Sequence, residues 1–218
     1  LKNRPQWYTV AKRSRTYVAK VLSSISGEYY KNYNVNKLIR RSNGIDLYYG
    51  DKSEFFSYDK VVLASHADQA LSIIDEPTKE EQEILSKFKY RENIAVIHTD
   101  ESIMPNNKDI WSSWNSSVDK NNVENNSITY WLNLLQNLDF NKNIFLTLNP
   151  NFKINEDKIL KKVNFTHPYF DQSALDNQDK LKNLQNKKNL LFCGSYFGYG
   201  FHEDGIKSSI EMIKAIDD

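Results

Sequence analysis

The chain has almost no cysteine, little glycine and no long apolar run. Its single cysteine, Cys193, excludes an internal disulfide and fits a reducing, cytoplasmic compartment. No apolar stretch approaches the roughly 18 residues of a membrane span. Neither sign of charge dominates: 29 Lys and Arg face 28 Asp and Glu, mixed along the chain, for a net charge of +1. That balance offers no basic stripe to a nucleic-acid backbone. His98 and His167 stand far apart without the Cys or acidic spacing of a metal site, so no metal is expected. Ser65-His66 lacks the nucleophile elbow and partner order of a hydrolase. Among only seven glycines, no Gly-x-Gly-x-x-Gly pyrophosphate turn occurs.

What is present suffices for a folded core. The 218 residues are 39% hydrophobic and 13% aromatic, which excludes a disordered chain and leaves room for one or two domains. Apolar spacing predicts a helix over 13–25 with Ser14 as N-cap. Alternation predicts strands at 33–41, 45–49, 55–56 and 60–64, a β-meander with Asn43-Gly44 as its first turn. A short helix at 67–74 follows, and Thr78-Lys-Glu-Glu81 is a capping box opening a helix to about residue 89. Strands at 93–98, 112–116, 127–133 and 144–148 form an antiparallel sheet, with 118–126 a polar, mobile loop. His167-Pro168 ends the next extended piece, and 172–189 is helix or connector. The expected organisation is three segments, 1–66, 67–188 and 189–218, the last returning to the domain of the first.

The last thirty residues hold the strongest functional signal. A buried-strand pattern, Leu190-Leu-Phe-Cys-Gly194, meets a glycine-rich turn and then a helix pattern, and four of the seven glycines (Gly194, Gly198, Gly200, Gly205) fall here. Glycine permits positive φ or close approach of backbone to a ligand. A helix N-terminus offers free N–H groups and partial positive charge. The N–H groups of Gly205 and Ile206 are the candidates for that role.

With Asp204-Gly205 heading the last helix, Trp7-Tyr-Thr-Val before Ser14-Arg-Thr-Tyr-Val, Tyr58-Asp-Lys-Val-Val-Leu-Ala-Ser65, His98-Thr-Asp, Met104-Pro, Ser113-Trp-Asn115 and Thr129-Tyr-Trp131, the chain resembles FAD-dependent amine oxidases. It is most similar to a bacterial subgroup described as predicted NAD/FAD-binding oxidoreductases, from about residue 4 to the end. The resemblance implies an α/β (α+β) fold, a partial FAD/NAD(P)-binding Rossmann-like domain with a meander plus an antiparallel-sheet substrate domain. The chain starts at Leu1, within the family pattern, so it is expected to be a C-terminal part that needs its own N-terminal dinucleotide-binding half, the missing βαβ.

FAD is the implied cofactor, with Val35 bonding the adenine through its backbone and Gly194, Ser195, Asp204, Gly205 and Ile206 at the flavin. His202 stands where relatives carry an aromatic wall, and is the catalytic candidate or a hydrogen-bonder to the cofactor. Trp114, Asn115, Tyr130 and Phe201 are the expected substrate pocket, with Asn133 a further polar anchor. The implied reaction removes a hydride from a C–N or C–C bond of a small-molecule or lipid-like substrate. No lysine opens the strand Asn93-Ile94-Ala95, so amine oxidation is not carried over. A lipid or carotenoid desaturase or isomerase and a flavin-free binding protein stand as alternatives.

Overall fold

The computed structural model describes residue 6 and residues 8–50, 54–119 and 122–216; Trp7 of the first motif lies outside them. The architecture is the α+β mixture expected. The chain divides into two compact units, residues 30–91 with 167–218 and residues 1–29 with 92–166. The boundaries therefore fall near 29, 91 and 166, where the sequence placed them at 66 and 188. The reason is packing: helices after residue 66 and before 189 bury their apolar faces with the meander, in one core.

In the first unit, β1 (Val35–Arg41), β2 (Gly44–Tyr49) and β3 (Phe55–Tyr58) form the antiparallel meander. Arg41 pairs with Gly44, so the tight turn is Ser42-Asn43, one residue earlier than expected. Gly44 opens β2, where a Cβ would sit 2.6 Å from the Tyr58 carbonyl oxygen; glycine is there for strand approach and not for a turn. Buried Asp46 accepts from Ser57 Oγ and Arg41 Nε, both at 2.7 Å, which hold its carboxyl below the usual range.

The fourth strand leaves the meander. β4 (Val61–Leu63) pairs in parallel with β10 (Leu190–Phe192), Val61 against Leu190 and Leu63 against Phe192. β10 is wholly buried, as its unbroken apolar run requires. On it Gln185 imitates a strand, with Phe192 N–H donating to Oε1 at 3.0 Å and Nε2 donating to Phe192 O at 2.9 Å. Helices α2 (Ala67–Ile73) and α3 (Lys79–Leu85) close the core around Leu38, Ile45, Leu85, Leu181 and Phe192. The Thr78 capping box forms with both of its bonds, and its buried Glu81 also receives Arg40.

In the second unit, α1 (Ser14–Ser24) buries no residue, and Arg13, not Ser14, precedes it as N-cap, with no side-chain cap bond. A five-stranded sheet follows, in the order β6-β7-β8-β5-β9: β5 (Lys89–His98), β6 (Trp114–Asp119), β7 (Asn122–Trp131), β8 (Phe145–Leu148) and β9 (Ile159–Tyr169); the short α4 (Leu132–Leu135) follows β7, and α5 (Gln172–Gln178) lies in the first unit. The expected 118–126 loop is mostly strand: β6 and β7 pair as far as Asp119 with Asn122, past a register shift after Val118. β9 likewise runs through His167-Pro168 to Tyr169. An edge strand tolerates proline because no ladder partner needs its N–H.

Candidate functional site

The turn between β10 and α6 (His202–Lys214) is built from its own backbone outward. At Gly194 φ is 154°, and a Cβ would lie 2.7 Å from the Tyr196 ring. A Cβ on Gly198 would lie 2.5 Å from Asp204 Oδ1. The packing of the turn therefore demands both glycines. Asp204 organises the loop, its Oδ2 accepting from Tyr199 N–H at 3.0 Å and Phe201 N–H at 2.9 Å. Buried Ser208 ties strand to helix: its Oγ accepts from Gly194 N–H at 2.9 Å, and its proton is within reach of Gly205 O at 2.7 Å. Gln178 Nε2 donates to Gly198 O at 2.5 Å. Sequence reasoning missed Ser208, Gln178 and Gln185; none sits in a motif, and only the spacing of Ser208 from buried Met212, one helical turn, hinted at an inward face.

Gly205 behaves differently. It lies in the first turn of α6, where a Cβ would meet only Ser195 N, at an ordinary 3.8 Å. Glycine there costs about 1 kcal/mol of helix stability against alanine, and nothing in the described packing requires it. Its N–H donates to Phe201 O at 3.2 Å, and Asp204 N–H to the same oxygen at 3.1 Å. The helix thus starts three residues before Gly205, and its leading N–H groups are those of His202 and Glu203, in place of Gly205 and Ile206. Around this head Phe201, Tyr199 and Ile206 are 68%, 70% and 60% exposed, and His202 is exposed beside them. Gly194, Ser195, Asp204, Gly205, Ile206, His202 and Phe201 therefore converge on one turn. Val35 stands elsewhere, opening β1 opposite Tyr49.

In the other unit the sheet is inverted relative to a simple amphipathic one. Its buried face carries polar groups in register: Asn115, Thr129, Thr147 and Val96 form one row, and Trp131, Phe145 and His98 the next. Asp100 N–H donates to His98 Nδ1 at 3.1 Å, so the neutral imidazole carries its proton on Nε2 and donates to Thr147 Oγ1 at 2.8 Å. Thr147 continues to Thr129 Oγ1 at 2.9 Å. Burial pushes His98 below its ordinary 6.5, against the opposing pull of Asp100. Burial alone would raise the Asp100 carboxyl, but bonds from Asn155 N–H, Ser102 and Lys158 hold it far below the usual range. His98-Thr-Asp100 is therefore a structural anchor.

The opposite face carries Trp114, Tyr130, Leu146 and Ile97 in one row, with Ile128 and Leu148 in the next. Trp114 is 62% exposed and edge-on to Tyr130, ring centroids 5.8 Å apart. Asn115 does not join them. It lies on the buried face, its amide spent on Ser112 and Thr129 backbone. Asn133 is likewise spent, accepting from Ile144 N–H at 2.7 Å and donating to Lys142 O at 2.9 Å. Beside Trp114 opens a cleft of about 810 Å³, also lined by Tyr8, Ser112, Leu134, Leu135 and Gln136. Trp111 is core, packed edge-on against Trp131 and Phe145. Among the described residues no cluster of metal-ligating side chains forms, and no helix is long and apolar enough to cross a membrane.

Solved structures share this fold. A CLA-producing fatty acid isomerase from P. acnes superposes with TM-score 0.63 at 14% identity, over 92% of this chain and 51% of that one. Putrescine oxidase bound to putrescine gives 0.60 at 9% identity, over 94% and 52%. The fold is the amine-oxidase-like fold of these structures. Cyclohexylamine oxidase from Brevibacterium oxydans IH-35A gives 0.52 at 10% identity, over 85% and 49%. The chain spans about half the length of these structures. No protein-family model and no curated protein sequence matches it.

Proposed function

We propose that the chain forms the flavin-ring seat and substrate-bearing sheet of an FAD-dependent oxidoreductase of amine-oxidase-like fold. Gly205 carries this reading: a helix glycine that the chain's own packing does not need leaves a Cβ-free spot next to exposed His202, Phe201 and Ile206. The residues fit a planar ring. Gly205 allows the backbone to approach it, the N–H groups of His202 and Glu203 and the helix dipole favour electron-rich oxygens at its edge, and the apolar side chains cover it. Bound there, the flavin supplies hydride acceptance. Asp204 acts on the loop, holding Tyr199 and Phe201 in place, and His202 orients the cofactor or moves a proton beside it. Val35, as first residue of β1, is proposed for the adenine.

The dinucleotide-binding half is a partner that this reading requires, since no Gly-x-Gly-x-x-Gly turn occurs in the chain. Residues 30–91 and 167–218 contribute to the FAD-binding part and residues 1–29 and 92–166 to the substrate part. The rows of Trp114, Tyr130, Leu146 and Ile97 and of Ile128 and Leu148 are apolar and aromatic, which favours an apolar C–C or C–N substrate over a cationic amine and leaves a lipid desaturase or isomerase as the second reading. The test is the visible flavin band of the protein purified together with its dinucleotide-binding half: a band that elutes with the protein and is bleached anaerobically by a substrate is expected, and a colourless protein that no added FAD converts speaks for a flavin-free binder. His202→Phe is expected to keep the band. If the imidazole moves a proton, turnover falls roughly 10²-fold or more; an unchanged rate and pH profile assign it to cofactor orientation.

A further inference from the structure

We propose that the cleft beside Trp114 binds an amphiphilic carboxylate, its chain against Trp114, Leu134 and Leu135 and its head group at Lys12 and Arg13. The cleft of about 810 Å³ has no charged side chain in its lining, a volume and character suited to an apolar ligand. Three of its lining residues, Thr9, Gln136 and Asn137, also line a second cavity of about 510 Å³. That second cavity holds Lys12, Arg13 and Asp139, an excess of one positive charge. An apolar, aromatic cavity and a cationic one therefore adjoin along these three residues.

The backbone of the cationic end forms a closed turn. Lys12 and Arg13 both take positive φ, 60° and 68°, in a turn closed by Arg13 N–H on Val10 O at 2.9 Å. Backbone of this kind in non-glycine residues gathers at ligand sites. A cationic amine is disfavoured at both ends, having no acidic group in the apolar cleft and a net positive neighbour beyond it. A neutral alcohol gains the apolar contacts alone.

The proposal rests on the reading of this unit as substrate-bearing. It is tested by ligand binding rather than flavin chemistry, so its failure leaves the flavin seat standing. Decanoate, 1-decanol and decylamine, matched in chain and differing in head-group charge, are titrated calorimetrically below their aggregation concentrations. Decanoate is expected to bind about 3- to 10-fold more tightly than decanol, the range of one or two solvent-exposed ion pairs, with decylamine weakest. Lys12→Asn with Arg13→Gly removes both charges with residues that accept positive φ. It is expected to bring decanoate to within about twofold of decanol while leaving decanol unchanged. Trp114→Ala, at an exposed position, is expected to weaken both. Saturable binding by none of the three, decylamine binding tightest, decanoate no tighter than decanol, or a preference for decanoate that survives the double substitution overturns the proposal.

Discussion

At the β10–α6 turn the polar side chains serve the backbone: Asp204, Ser208 and Gln178 each bond main-chain groups of the glycine loop. Across the five-stranded sheet they serve one another, in a buried chain from His98 through Thr147 to Thr129. Both regions turn apolar surface outward, Phe201 and Ile206 at the turn, Trp114 and Ile128 on the sheet. The difference teaches where each is fragile. The turn fails through backbone strain at a few glycines, while the sheet fails through loss of one link in a coupled series.

Gly194→Ala should show the largest effect, about 3 kcal/mol of lost stability in denaturant titration. It combines a disfavoured φ with a Cβ driven into the Tyr196 ring. A loss below 1 kcal/mol would mean that the turn relaxes easily. Thr147→Val should follow at about 1–3 kcal/mol, because it keeps the shape but leaves the His98 Nε2–H and the Thr129 hydroxyl without their partner. His98→Leu with Thr147→Val should cost less than the sum of the two single changes; strict additivity would show that the links are independent.

The sheet should also govern acid sensitivity. Folded His98 has a pKa below its unfolded 6.5, so the unfolded chain binds the extra proton and stability falls as pH drops below about 6.5. The depressed Asp100 adds a second loss once pH falls below its unfolded 3.8. His98→Gln should flatten the first of these slopes and leave the second. A wild-type stability that is level from pH 7 to 5 would contradict it. Smallest is Gly205→Ala, expected to change stability by no more than about 1 kcal/mol and in the stabilising direction, since the added Cβ meets only Ser195 N at 3.8 Å.

Local signals were the legible ones. Thr78 and Glu81 announced their capping box because both halves lie within one turn. The strands at 144–148 and 190–192 also follow from apolar runs. The parallel pairing of β4 was not legible, because Val-Val-Leu reads the same in a meander as in a buried parallel pair. Gln185 carries no periodic signal. Asn115 is a different case: the period of two already puts it on the face opposite Trp114, so its assignment to the pocket ignored a rule the sequence contained. Of the candidate seat, the convergence of Gly194 to Ile206 was readable from spacing, whereas the start of α6 at His202 depended on which carbonyl Gly205 and Asp204 chose.

Flavin retention by Gly205→Val tests the central claim most directly, measured as the visible absorption per chain in the protein carrying its dinucleotide-binding half. The chain's own packing leaves room for the new Cβ, so the apo protein should melt within about 1 kcal/mol of wild type while flavin occupancy falls sharply or the flavin potential drops. Full occupancy with an unshifted potential would contradict a flavin seat at the head of α6.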